Sequence, residues 1–250
     1  MTTIDLNCDM GEGYDSDARV MPLVTSANVA CGFHAGDPVT MRRTVRLARA
    51  HGVAVGAHPS FPDRSGFGRR LLAASPDEVR DDVTYQIGAL WAICRSEGVR
   101  MAFVKPHGAL YNAAARDEAL ARAICEAARS VEPALAVVCL ARSPMAALAR
   151  GMGVACIEEA FADRAYTASG ALVSRTLPGA VIHDVEAVAE RASRMVREQS
   201  VAAVDGTPVR LEFQTLCLHG DTPGADRIAA VIRRRLEADG VTIRAAWPAG

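Results

Sequence analysis

Met101-Ala102-Phe103-Val104-Lys105-Pro106-His107 is an apolar, strand-like run that stops on residues able to carry charge and protons. Similar runs lie at 3–8, 53–57, 135–140, 154–158, 211–218 and 241–244. Amphipathic stretches with helical spacing alternate with them at 38–50, 76–97, 117–130, 143–150, 184–198 and 225–238. The spacing of 38–50 puts Val39, Thr44, Val45 and Leu47 on its inner face. Ser75-Pro76-Asp77-Glu78 reads as a helix start, with a capping serine, proline in the first turn and acids near the positive dipole end. Gly52, Gly98, Gly153 and Gly240 each stand where a helix should stop. Repeated βα alternation implies a parallel sheet. So many units in one uninterrupted chain favour a closed or nearly closed α/β barrel over an open, doubly wound sheet. No Gly-x-Gly-x-x-Gly follows the first strand, which argues against a dinucleotide fold.

The chain has 250 residues, 50% of them hydrophobic, enough for one large core. No linker, low-complexity tract or internal repeat divides it, so a single (β/α) barrel domain over 1–250 is expected. The formal net charge of -1 gives no general attraction to nucleic acid or to an anionic membrane. The chain shows no secretory leader and no apolar run of membrane-spanning length, so a soluble, cytoplasmic protein is expected. Its 7 cysteines have neither zinc-knuckle nor redox-motif spacing and read as small buried hydrophobes in a reducing compartment.

Active sites of βα barrels sit at the C-terminal ends of the strands, and the polar clusters fall there. The first strand ends in Asn7-Cys8-Asp9-Met10-Gly11-Glu12-Gly13, and a short second unit runs from Ser26 through Asn28 and His34 to Asp37-Pro38. Then come Gly56-Ala57-His58-Pro59, Lys105-Pro106-His107 with Asn112, Glu158-Glu159 with Asp163-Arg164, and His219-Gly220-Asp221. Taken singly these have ordinary explanations. Asp37 should cap the helix that follows, Asp15 and Asp17 should solvate a loop, and His51 and His183 should be surface or structural. Convergence of Asn7, Asp9, Asn28, His34, His58, Lys105, His107 and His219 on one mouth is not ordinary. Lys105 is also the only lysine among 28 basic residues. Lysine offers a compact charge with a movable pKa, which arginine does not.

Two long irregular stretches, 60–72 and 160–179, break the rhythm, and such loops are commonly functional. Gly66-Phe67-Gly68-Arg69-Arg70 suggests an anion-binding lid with Arg69 as its clamp. It is not a phosphate-binding Walker loop, because no Gly-Lys-Ser/Thr occurs, and no complete ATP site is expected on this chain.

Together, 5–13, 26–38, 56–70, 104–112, 158–166 and 217–221 resemble the LamB/YcsF family, in the family's order and over nearly the whole chain. The resemblance implies a seven-stranded βα barrel akin to polysaccharide deacetylases. It also implies a reaction in which 5-oxoproline, ATP and water give glutamate, ADP and phosphate. The chain would then work with separate B and C subunits, with ATP as co-substrate bound together with them. A homo-oligomer is compatible with this.

Under that expectation Asp9 or His107 is the candidate base, Lys105 stabilises developing negative charge, and His34 and His58 donate protons or orient water. Substrate contacts would come from Asn7, Glu12, Asn28, Arg69, Asn112, Glu159, Arg164 and His219. The main rival is a metal-dependent amide hydrolase or deacetylase in which Asp9, His34 and His58 hold a divalent ion. A third reading is a non-catalytic subunit that binds oxoproline.

Overall fold

The computed structural model describes residues 2–218 and 224–247. In chain order its elements are β1 (Thr3–Met10), α1 (Asp17–Val20), β2 (Ser26–Ala30), α2 (Pro38–His51), β3 (Ala54–His58), α3 (Pro76–Ser96) and β4 (Met101–Val104). There follow α4 (Gly108–Ala114), α5 (Glu118–Val131), β5 (Ala136–Leu140), α6 (Pro144–Gly151), β6 (Cys156–Phe161) and α7 (Val185–Glu198). The last are β7 (Ser200–Ala202), β8 (Pro208–Arg210), β9 (Thr215–Leu218), α8 (Ala225–Ala238) and β10 (Thr242–Ile243).

Strands β1 to β6 pair in chain order, all parallel, and β9 joins β6 to β1 to close a seven-membered ring. The expected barrel is therefore present, with one change of membership. The run at 241–244 contributes only β10, which pairs with β1 at Thr3 and Ile4, outside the ring. Its place is taken by β2, whose Ser26-Ala27-Asn28-Val29-Ala30 mixes polar and small residues and is fully buried. The expected strand at 211–218 begins only at Thr215. The residues before it follow a small antiparallel hairpin, β7–β8.

Alternation along β1 sets the character of the interior. Ile4, Leu6, Cys8 and Met10 join the large core under the helices, together with Val45, Ile87, Leu90 and Ile124. Asp5, Asn7 and Asp9 bond instead to Thr215 on β9, Glu159 on β6 and Lys105 just past β4, on the opposite face, as the period of two requires. A second apolar cluster contains Ala54, Ala102, Phe103, Ala136, Val138 and Ile157, mostly from the first residues of their strands. Ala245, Ala246 and Trp247 pack against it from the chain's end. Position 56 must be glycine here, because a Cβ would lie 2.1 Å from the Phe103 ring.

The expected helix signals hold. Asp37 accepts the Thr40 amide at 2.8 Å, and Ser75 and Glu78 form a reciprocal capping box. Gly52, Gly98, Gly153 and Gly240 all have positive φ. On α2 the inner face is Met41, Thr44, Val45 and Ala48, whereas Val39, expected inside, is 79% exposed. Asp17 is no mere solvating group, since its Oδ2 accepts the Gly11 amide at 2.9 Å and fastens the loop after β1. All 7 cysteines are free thiols, and all but Cys156 are buried. Among the described residues no helix is long and apolar enough to cross a membrane.

Candidate active site

The polar residues inside the barrel form tiers. The lowest is Asp5, whose carboxylate accepts Thr25 Oγ1 at 2.6 Å, Ser26 Oγ at 2.8 Å and Thr215 Oγ1 at 2.5 Å. Burial holds its pKa above the ordinary value, partly offset by these bonds.

Asn7 occupies the next tier. Its Nδ2 donates to Glu159 Oε1 at 2.9 Å and Thr215 Oγ1 at 2.7 Å, and its Oδ1 accepts Asn28 Nδ2 at 2.7 Å. Into this tier reaches Lys105, just past the end of β4. Its ammonium lies 2.8 Å from Glu159 Oε1, 3.2 Å from Asp9 Oδ1, 3.1 Å from Asn7 Oδ1 and 3.1 Å from Cys217 Sγ. Burial alone would lower the lysine pKa, but Asp9, Cys217 and Glu159 outweigh it and hold it well above the ordinary value. Lys105 is thus a fixed cation, not a proton acceptor.

The upper tier carries Asp9, Glu12 and three histidines. Asp9 Oδ1 accepts Asn28 Nδ2 at 2.8 Å and lies 3.3 Å from His58 Nε2. Burial would raise its pKa, but His58 and Lys105 hold it far below the usual carboxylate range. Asp9 stays ionised, and Oδ2 takes no part in these bonds. His58 Nδ1 faces the Lys105 carbonyl at 2.7 Å, and its Nε2 lies 2.9 Å from His107 Nδ1. The other nitrogen of His107 meets the Phe67 carbonyl at 2.9 Å. His34 stacks on His107 at 3.8 Å, with Nδ1 3.1 Å from Ser60 Oγ and Nε2 3.1 Å from Glu12 Oε1. Burial, then the neighbouring His58, pushes the His107 imidazole down to about 3, and burial and His107 lower His34 likewise.

The lid expected at 66–70 is docked through its backbone. Gly68 takes φ +64°, and a Cβ there would lie 2.7 Å from His107 Cδ2 and 2.9 Å from His34 Cβ. Its carbonyl accepts the Ala109 amide at 2.9 Å. Arg70 pairs with Asp63, anchoring the loop, while the Arg69 guanidinium lies 4.9 Å from the Phe67 ring centroid.

Above these tiers opens a cavity of about 520 Å³ with Asp9, Glu12, His58, Lys105 and His107 in its lining. That volume suits a small ligand. Arg69, Arg116, Arg164, Arg175 and Asn112 line it as well. Arg164 spends hydrogen bonds on the loop itself, from Nη2 to the Val173 carbonyl at 2.6 Å and from Nε to the Ala180 carbonyl at 3.3 Å. Asn112 Nδ2 donates to the Gly108 carbonyl at 2.9 Å.

Of the residues expected at one mouth, those described are gathered there, but at different depths. Asn7, Asn28 and Glu159, expected against substrate, are buried below the lining and hold Lys105 and Asp9 in place. His34 lies behind His107. His219 falls outside the described residues. His51 and His183 are not buried. The sequence reading missed Arg116 and Arg175. Recognising 108–114 as a helix would have set Arg116 at its end, beside the mouth.

Donor atoms of Glu12, His34, His58 and His107 all lie within 4.8 Å of one another, so the site contains a candidate metal centre. The acid in that group is Glu12, where Asp9 was expected. Oδ1 of Asp9 is already taken by Asn28 and Lys105.

The family model for LamB/YcsF matches residues 4–249. A protein of Chloroflexus aggregans, named as the A subunit of 5-oxoprolinase, is 53% identical over 249 residues, covering 98% of this chain and 99% of that protein. The crystal structure of a lactam utilization protein from Thermus thermophilus superposes with a TM-score of 0.92 at 50% identity, over 97% of this chain and 99% of that one. A family 4 carbohydrate esterase from Streptomyces lividans superposes with a TM-score of 0.52 at 12% identity, over 97% of this chain and 91% of that one, a likeness of fold alone.

Proposed function

This chain belongs to the LamB/YcsF family, and on that premise we propose that it is the A subunit of an ATP-dependent 5-oxoprolinase, opening the lactam of 5-oxo-L-proline to L-glutamate. The observation that carries the reading is the Asp9–Lys105 pair at the floor of an arginine-lined cavity. The substrate is a small, flat lactam with one carboxylate. Arginines in the lining suit that carboxylate, which a guanidinium grips through two parallel bonds. Arg69 is the clamp in this reading, with Arg116 and Arg175 adding positive charge.

An unstrained lactam resists water. Phosphorylation of its oxygen, with ATP as donor, makes the ring carbon electrophilic. Water then adds, the ring C–N bond breaks, and a second water releases phosphate. Asp9 takes the proton of the attacking water through the oxygen that Asn28 and Lys105 leave open. Lys105 faces the negative charge that develops on the ring substituents, at a site preorganised by Glu159 and Asn7. Asp9 then passes that proton on to the leaving nitrogen. Separate B and C subunits supply the nucleotide site, in keeping with the missing Gly-Lys-Ser/Thr loop on this chain. The assembly would be cytoplasmic.

The test is glutamate release from 5-oxoproline and ATP by the chain with and without the B and C subunits. Release that requires all three together supports the reading. No release from the complete set overturns it. The histidine cluster favours one rival, a metal-dependent amide hydrolase that works without ATP. Amide hydrolysis by the isolated chain in the absence of nucleotide would establish that rival instead.

A further inference from the structure

We propose that Glu12, His34, His58 and His107 bind one divalent transition-metal ion, resident at the barrel mouth beside Asp9. The inference deepens the hydrolytic reading of this mouth and rests on it for the ion's purpose, but not for its existence.

The argument is one of hydrogen-bond accounting. A neutral imidazole has one N–H and one lone pair. A carbonyl oxygen can only accept, so His58 Nδ1, 2.7 Å from the Lys105 carbonyl, carries the ring's hydrogen. By the same logic His107 carries its hydrogen on Nε2, which faces the Phe67 carbonyl at 2.9 Å. Ser60 gives its own hydroxyl proton to the Phe61 carbonyl at 2.8 Å. Its oxygen must therefore accept from His34 Nδ1, 3.1 Å away.

The remaining ring nitrogens, His58 Nε2, His107 Nδ1 and His34 Nε2, are then lone pairs, and they gather with the Glu12 carboxylate. His58 Nε2 and His107 Nδ1 face each other at 2.9 Å. His34 Nε2 faces the Glu12 carboxylate at 3.1 Å, and the same oxygen lies 3.6 Å from His107 Nδ1. Three imidazole lone pairs and a carboxylate oxygen thus converge within 4.8 Å of one another. A cation between them turns each repulsion into a bond. Ligand–ligand edges of a tetrahedral site with bonds of about 2.0–2.1 Å are about 3.3 Å long; the separations of 2.9, 3.1 and 3.6 Å bracket that length, in a cluster whose donor atoms all lie within 4.8 Å. Extra protons would instead make charged rings of His34 and His107, which stack at 3.8 Å and 4°. Metal-bound histidines commonly fix their other nitrogen on a carbonyl, as His58 and His107 do.

Ligand type narrows the ion. Three imidazoles and one carboxylate suit zinc, iron, cobalt or nickel, and fit magnesium poorly, which prefers oxygen. The resident ion is therefore distinct from any magnesium that accompanies the nucleotide. When bound it supplies Lewis-acid polarisation on the His58 side of Asp9, whose Oδ1 lies 3.3 Å from His58 Nε2.

The experiment strips the full-length chain with a strong chelator, checks the fold by circular dichroism, and titrates it with zinc by calorimetry and with cobalt by visible absorption. One equivalent should bind, and cobalt should show the intense bands of a low-coordinate, nitrogen-ligated ion. Glu12→Gln, nearly isosteric, should weaken binding at least tenfold, and His107→Ala should abolish stoichiometric binding. His51→Ala, an exposed histidine elsewhere, should bind as the parent does. Failure of the folded parent to bind one equivalent, or binding unchanged in both site variants, overturns the inference. Glutamate release by the complete assembly is measured separately. If metal binds and no glutamate is released, the oxoprolinase reading fails and the metal site stands. If glutamate is released by a chain that binds no metal, the metal site fails and the oxoprolinase reading stands.

Discussion

Lys105 is held by neighbours that leave no room for a larger cation. Its ammonium takes oxygen from Asp9, Glu159 and Asn7 and touches Cys217, all deep in the barrel. A guanidinium is larger and planar, and its fork cannot reproduce those contacts. Lys105→Arg should therefore keep the barrel, melt at a lower temperature, and lower glutamate release by the complete assembly about 100-fold or more. Near-normal turnover would remove Lys105 from the chemistry. Asp9→Asn tests the other partner. It keeps the shape but not the proton acceptor, and should cost about 10²–10⁴ in kcat with little change in KM. Both residues were legible from sequence, one as a lone lysine and the other at a strand end. The depth of Asn7, Asn28 and Glu159 was not read, although the signal was there. Ile4, Leu6, Cys8 and Met10 alternate with Asp5, Asn7 and Asp9. A polar face on a barrel strand points into the barrel, where a substrate reaches only its upper end.

At the scale of elements, the loop over residues 60–72 is held against α4 by the close approach of Gly68 to His107 and His34. Gly68→Ala meets both a strained φ and a clash, so it should destabilise by about 1 kcal/mol or more and displace His107. Thermal melting would read the first effect and loss of glutamate release the second. A variant that melts and turns over as the parent would show the approach to be slack. Farther from the site, α2 is tied to the end of α3 by Glu97. Arg46 donates to it at 2.8 Å, Arg42 pairs with its other oxygen, and Arg49 reaches its carbonyl at 2.6 Å. Hydrogen bonds from Arg46 and then Arg42 hold the carboxyl down to about 2 against an ordinary 4.5. A folded pKa below the unfolded one adds stability above about 4.5 that is lost as pH falls through about 2. Glu97→Gln should thus melt below the parent at pH 7, with a gap that narrows below pH 4.5. A gap independent of pH would assign the loss to packing. The caps at Asp37 and Ser75 were readable because capping is local chemistry. The ring membership of β2 was not, because a strand buried on both sides and lined with Asn28 and Ser26 has neither an apolar run nor a clean alternation.

Over the whole molecule, barrel closure makes the two ends of the chain depend on each other. β1 pairs with β2 and β9 in the ring and with β10 outside it, so the first strand is fixed by residues from both halves. Ala245, Ala246 and Trp247, after β10, then pack against the cluster that contains Ala54 and Phe103. A buried polar interior is costly unless its groups are hydrogen-bonded, as Asp5, Asn7 and Asp9 are, and this apolar cluster is a seal of side chains that need no such partner. The family resemblance implied the strand count, but nothing local in the sequence marked the chain's end as packing there. Trp247→Ala tests the connection. The indole is partly buried, so the loss should fall below the roughly 3–5 kcal/mol of a fully buried aromatic, at about 1–3 kcal/mol. For a chain of this size that lowers Tm by about 2–12 °C. Glutamate release at a temperature well below the new Tm should stay within about twofold, because Asp9, Lys105 and the histidines are held by bonds among themselves. A large loss of turnover without a loss of Tm would show that the seal acts on the site directly, through Phe103 and the lysine two residues beyond it.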